Sequence, residues 1–151
     1  MNKLLSIENI LINVNIENKI EVLKYIAKLA VDMNISKREE YVFKSLLKRE
    51  EEFSTNLGEN IALPHIKSKY VSKPTIIILV LNKDIYWDNG DVRLIISFLM
   101  PETIDRDVHL KVISNLSRKL IDNDFKQALI KNKDREEIFN LINSAIYRES
   151  D

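Results

Sequence analysis

A chain of 151 residues can bury a core of its own, and 45% hydrophobic with 30% charged residues is ordinary globular composition, so no long disordered tail is expected. Lysine plus arginine and aspartate plus glutamate balance at 23 each, which leaves no net field to condense the protein onto nucleic acid or an anionic membrane. The absence of cysteine excludes a disulfide, a thiolate nucleophile and a cysteine-ligated zinc, and agrees with a reducing compartment.

The chain starts Met1-Asn2-Lys3-Leu4-Leu5-Ser6, and Glu8 and Asn9 follow where a secretory signal would continue apolar. No apolar run reaches the roughly 20 residues of a membrane-spanning helix, so the expected location is cytoplasmic. Ile10-Leu11-Ile12-Asn13-Val14 reads as a strand. From Asn18 to Met33, the residues Ile20, Leu23, Ile26, Ala27, Ala30 and Val31 recur at helical steps, with charged residues outside that stripe. Ser36, with Glu39 at the capping-box position, predicts a second helix running through Tyr41, Val42, Leu46 and Leu47 to about Glu51.

The aperiodic stretch Phe53 to Asn60 reads as a loop leading into Ile61-Ala62-Leu63-Pro64-His65. Pro64 cannot donate to a ladder and holds Leu63 extended, so His65 is expected where a short strand leaves the sheet. Thr75 to Leu81 and Leu94 to Met100 are nearly continuous apolar runs, as strands covered on both faces require. Between them Asp88-Asn89-Gly90-Asp91 signals a turn, and Tyr86-Trp87 a short edge strand or loop whose aromatic rings pack structurally. Beyond Pro101 the pattern is helical: Val108, Val112, Leu116, Leu120 and Ile121 in one helix beginning near Asp105, Phe125 to Ile130 in a short one, and Ile138, Leu141, Ile142 and Ala145 in a third capped by Asp134. Strands mixed with helices around buried runs imply an α/β sandwich. With neither repeat nor low-complexity linker, residues 1–151 are read as a single domain.

Few residues can do chemistry near neutral pH, since histidine occurs twice and cysteine never. By position alone His65 reads first as an exposed or hydrogen-bonded loop histidine; the other reading is a nucleophile towards phosphorus, because a neutral imidazole keeps one lone pair and offers its other nitrogen for orientation. His109, near a helix N-terminus that favours its neutral form, is either an ordinary helix-terminal histidine or an N–H donor to a phosphoryl oxygen. Arg49, in the run Lys48-Arg49-Glu50-Glu51-Glu52, is either part of a solvated charged helix end or a guanidinium able to hold two phosphoryl oxygens. Glycine-rich phosphate loops, GxSxG elbows and HExxH helices are all missing, so nucleotide-dependent kinase chemistry lacks its usual cradle.

Arg49-Glu50, Ser54-Thr55, Gly58 and Ile61-Ala62-Leu63-Pro64-His65, followed by Pro101, His109-Leu110 and the Leu116/Leu120 helix, resemble the fructose/mannitol-type (type 2) enzyme IIA domain of the bacterial sugar phosphotransferase system. The likeness extends over essentially the whole chain, with departures at Glu59-Asn60 and Ile66. It implies a three-layer sandwich with a mixed, mostly parallel sheet flanked by helices. It also implies a phosphoryl carrier in which His65 accepts the group from HPr and passes it to a cysteine of a IIB component, with peripheral linkage to a membrane IIC transporter through IIB. His109 and Arg49 would position and neutralise the group, and the backbone of the Ser54, Thr55 and Gly58 loop would add contacts. No metal, nucleotide or other cofactor is implied. Ile66, Leu57 and Phe53 are the candidate apolar docking face. Two alternatives stay open: a regulatory, nitrogen-branch enzyme IIA using the same histidine, and a non-catalytic interaction module that keeps the fold.

Overall fold

The computed structural model describes residues 4–147, so the reading of Met1-Asn2-Lys3 falls outside the described residues. A 3-10 turn over Ile7–Asn9 leads into β1 (Ile10–Val14), α1 (Lys19–Asp32), α2 (Glu39–Glu52), β2 (Asn56–Gly58), β3 (Asn60–Ala62) and β4 (His65–Ser68). Then come β5 (Thr75–Trp87), β6 (Gly90–Pro101), α3 (Arg106–Leu120), α4 (Asn123–Lys131) and α5 (Arg135–Ile146).

The two apolar runs form an antiparallel hairpin in the middle of a mixed sheet, with Ile78 opposite Ile96 and Ile76 opposite Phe98. Strand order is β1-β5-β6-β3-β2, and β4 also pairs with β6. Pairing is parallel for β1–β5, β3–β6 and β4–β6, and antiparallel for β5–β6 and β2–β3. Alternation then sends Ile76, Ile78, Leu94, Ile96, Phe98 and Met100 to one face, under Val112, Leu116, Leu129, Ile138 and Ile142 of α3 to α5. It sends Ile77, Leu79, Leu81, Ile95 and Leu99 to the other, against Val22, Leu23, Ile26, Val42 and Leu46 of α1 and α2. Every one of these side chains is buried, each contributing about 1.5–3 kcal/mol, which is why neither run carries a polar face. The expected α/β sandwich, with its mixed sheet between two helical layers, is the fold observed. Among the described residues no helix is long and apolar enough to cross a membrane.

Several local expectations change. Ser36 does not cap α2: Ile35 is pulled fully into the core, Ser36 Oγ accepts from the Arg38 N–H at 3.2 Å, and the helix opens at Glu39 without a side-chain cap. The predicted loop over 53–60 contains β2 and the start of β3, joined by a tight reversal in which Gly58, Glu59 and Asn60 all have positive φ, at 85°, 56° and 72°. Tyr86 and Trp87 are neither an edge strand nor a loop but the last residues of β5, and Trp87 is completely buried. Ile121 falls at the exposed C-cap of α3, outside the core. The expected cap Asp134 accepts from the Glu136 N–H at the start of α5, and Asn18 and Asp105, read only as helix starts, likewise accept from backbone N–H groups at the starts of α1 and α3.

Candidate active site

From Ile61 onward, strands β3 and β4 lie along the same neighbour, β6, in one register, Ala62 beside Ile95 and His65 beside Phe98. Between them Pro64 offers no N–H, and its carbonyl accepts from the Phe98 N–H at 3.1 Å. The Leu63 N–H instead turns to the Thr55 carbonyl at 3.0 Å. The expectation that a strand leaves the sheet at His65 is therefore corrected: the chain resumes pairing there, and His65 is the first residue of β4. Paired residues of a parallel ladder share a face, so His65 shares the face of Phe98, the one that α3 covers.

The His65 imidazole is half-buried, and its Nδ1 lies 2.8 Å from the Leu63 carbonyl oxygen. A carbonyl only accepts, so Nδ1 carries the proton and the lone pair is left on Nε2. Burial pushes the His65 pKa below its ordinary value; the Leu63 bond and the Glu50 charge oppose that shift and the Arg49 charge reinforces it. Arg49 stands in the last turn of α2, half-buried, with Nη1 donating to the Phe53 carbonyl at 2.7 Å.

His109 sits in the first turns of α3, which Asp105 caps by accepting from the N–H groups of Asp107 and Val108 at 2.8 and 3.4 Å. Its pKa is also lowered, first by burial and then by the charges of His65 and Lys67. The helix end of α2, the start of β4 and the first turns of α3 thus bring Arg49 and His109 each within electrostatic reach of His65.

Ser54, Thr55 and Gly58 act on the shape of the preceding segment. Their N–H and hydroxyl groups are largely engaged there: the Thr55 N–H with Glu50 at 3.0 Å, the Asn56 N–H with Ser54 Oγ at 3.2 Å, and the Gly58 N–H with Asn56 Oδ1 at 2.7 Å. Of the expected docking residues, Phe53 and Leu57 are exposed, whereas Ile66 is buried against Leu99 and the α1/α2 layer and is removed from that face.

Glu50 received no separate role in the sequence. It is 4% exposed, and its carboxylate accepts from the Thr55 N–H, the Thr55 hydroxyl and, at 3.2 Å, Trp87 Nε1. The signal was present in the spacing: Val42, Leu46 and Glu50 are four residues apart, which puts the carboxylate on the buried stripe of α2. A separate cleft of about 680 Å³ at the opposite end of β6, lined by Asn13, Asn60, Asp84, Arg93 and Lys131, includes neither histidine.

The fold is shared with IIA proteins of known structure. Nitrogen regulatory protein IIA-Ntr from Neisseria meningitidis superposes with a TM-score of 0.85 at 24% identity, over 92% of this chain and 96% of that one. The complex of the mannitol enzyme IIA with phosphorylated enzyme IIB from Escherichia coli gives 0.77 at 23% identity, over 91% and 95% of the two chains. In sequence, the chain is 31% identical over 120 residues to multiphosphoryl transfer protein 1 of Escherichia coli, covering 76% of this chain but only 14% of that protein. It is 33% identical over 99 residues to the fructose-specific EIIA component of Haloferax volcanii, covering 64% of each. The chain thus spans about one seventh of the length of the multiphosphoryl transfer proteins it matches. The family model described as phosphoenolpyruvate-dependent sugar phosphotransferase system, EIIA 2, matches residues 3–145. The chain belongs to that family of phosphoryl-transfer proteins.

Proposed function

We propose that this protein is a cytoplasmic phosphoryl carrier for sugar uptake of the fructose/mannitol class, formed as one domain over residues 1–151, with His65 Nε2 as the atom that carries the group. The observation that supports it best is the Nδ1–Leu63 bond, which fixes the ring and leaves Nε2 as the free nucleophile. In the forward step the Nε2 lone pair attacks phosphorus on the phosphohistidine of HPr, an N–P bond forms as the donor's N–P bond breaks, and the pair returns to the HPr imidazole. In the second step a IIB thiolate attacks the same phosphorus, and the electrons of the N–P bond return to Nε2. Throughout, the Leu63 carbonyl steadies the Nδ1 proton while the ring bears positive character.

The lowered pKa of His65 keeps the ring neutral and nucleophilic at pH 7. Arg49 offsets the arriving charge with N–H groups that Phe53 leaves free. His109 Nδ1 is buried with no hydrogen-bond partner, so a proton there would be an unsatisfied donor; the proton belongs on Nε2, which donates to a phosphoryl oxygen. Exposed Phe53 and Leu57, close in sequence to Arg49, supply an apolar area for HPr and IIB to press against in turn. The fructose-specific relative at 33% identity favours transport over the regulatory role, because the likeness to the nitrogen regulatory protein, at 24%, is one of fold.

Incubation with phosphoenolpyruvate, enzyme I and HPr, followed by intact-protein mass, tests the proposal. One acid-labile phosphoryl group that is absent from His65→Ala and is discharged by a sugar-specific IIB is the expected result. No gain in mass with a competent HPr refutes it, and phosphorylation that no IIB discharges transfers the protein to the regulatory class.

A further inference from the structure

His65 is at the end of a chain of hydrogen bonds that starts in the core. Trp87 Nε1 donates to Glu50 Oε2 at 3.2 Å, and the same oxygen accepts from the Thr55 N–H at 3.0 Å, while Oε1 takes the Thr55 hydroxyl. The Thr55 carbonyl accepts from the Leu63 N–H at 3.0 Å, and the Leu63 carbonyl accepts from His65 Nδ1 at 2.8 Å. Glu50, Thr55 and Leu63 are all at least nine-tenths buried and Trp87 fully so. The carboxylate has no ion-pair partner within 4.0 Å among the described residues. Three donors converge on it from two separate elements, the end of β5 and the segment leading into β2, and the residue itself belongs to a third, α2.

A buried carboxylate needs such donors to remain charged, but that alone does not explain why they come from here. The Leu63–Pro64 interruption gives the Leu63 carbonyl no ladder partner of its own choosing: its direction depends on where the Leu63 N–H is anchored, and the anchor is Thr55. Thr55 in turn is held twice by Glu50. We propose that Glu50, braced by Trp87, is a positioning residue that fixes the His65 tautomer by aiming the Leu63 carbonyl at Nδ1. The inference rests on His65 Nε2 being the phosphoryl-accepting atom. Glu50 touches neither the reacting nitrogen nor the incoming group; it decides which nitrogen is bare.

The tautomer can be read without any phosphoryl transfer, from ¹⁵N shifts of the His65 ring in the full chain above its titration range. Wild type is expected to be predominantly the Nδ1–H form. Glu50→Ala removes all three acceptor contacts and is expected to give a mixture of both tautomers, with phosphorylation by phospho-HPr slowed about 10-fold, the lower end of what outer-shell orienting groups cost. Glu50→Gln is the conservative rescue: its amide oxygen can replace Oε2, the Thr55 hydroxyl can turn to accept from the amide N–H₂, and the Nδ1–H form is expected to persist. Should Glu50→Ala not fold, Thr55→Val decides, because it deletes only the hydroxyl contact and is expected to give a smaller shift in the same direction. A folded Glu50→Ala, or failing that a Thr55→Val, with the wild-type tautomer overturns the proposal. Wild-type protein that shows the Nδ1–H form yet accepts no phosphoryl group would instead defeat the carrier function and leave the positioning result standing.

Discussion

Replacing Arg49 by glutamine separates two effects that the guanidinium exerts on His65. Its charge lowers the imidazole pKa, so the variant should titrate at higher pH than wild type. Its N–H groups are cationic donors for phosphoryl oxygens; of the five a guanidinium offers, Nη1 already commits one to the Phe53 carbonyl. A hydrogen bond to a charged group is worth about 1.5–3 kcal/mol, so losing one from the transferring group slows acceptance roughly 10- to 150-fold. Arg49→Lys keeps the charge but loses the planar fork, so His65 should titrate near its wild-type value while the rate recovers only in part. A quenched time course with phospho-HPr gives the rate and an NMR titration of the His65 ring gives the pKa. An Arg49→Gln protein that is phosphorylated at the wild-type rate refutes the assigned role. Full recovery in Arg49→Lys would show that charge suffices and that the fork does nothing.

Both histidines carry pKa values below the ordinary 6.5, so the folded state binds these protons less readily than the unfolded chain. Their contribution is therefore neutral above about pH 6.5 and destabilising as pH falls through the range between the unfolded and folded values, so urea unfolding should show lower stability at pH 5 than at pH 7, with a smaller drop in His65→Ala. Gly58→Ala places a β-carbon that meets nothing within 4 Å, so only the backbone at φ 85° objects, and the urea midpoint should fall by the equivalent of about 1 kcal/mol. Asp105→Ala removes the cap that accepts from Asp107 and Val108 and should cost about 1 kcal/mol in the same assay. Because His109 stands on that turn, the variant should also broaden the His109 ring resonances.

The layers were legible because burial on both sheet faces leaves a signal in one dimension: Thr75 to Leu81 and Leu94 to Met100 have no polar alternation, and β1 was read at its observed limits. That Arg49 lies near the end of α2 and His109 in the first turns of α3 was legible from the helical periodicity, whereas His65 begins β4 and does not end a strand. What was not legible depended on long-range partners. The segment after Phe53 looked like a loop because β2 and β3 are only three residues each and owe their existence to pairing with each other and with β6. Ser36 looked like a cap because local chemistry favours it, but burying Ile35 moved the start of α2 past it. Trp87 looked peripheral because the turn follows at once, yet its indole meets a carboxylate 37 positions away.

A relay residue faces two demands that oppose each other. It must be open enough for two different partners to bring phosphorus into line with one nitrogen, and its ring must be fixed enough that the correct nitrogen is bare each time. A histidine on a free loop meets the first demand and fails the second; one inside a continuous strand is held but covered. The interruption at Leu63–Pro64 reconciles them. Its backbone stays locked to β6, since the register of β3 continues into β4 without a slip. Yet the missing Pro64 N–H and the diverted Leu63 N–H free one carbonyl to bend back onto Nδ1 instead of joining the ladder. The same proline that argues against a central strand in the sequence is what lets this strand carry a half-buried but oriented imidazole.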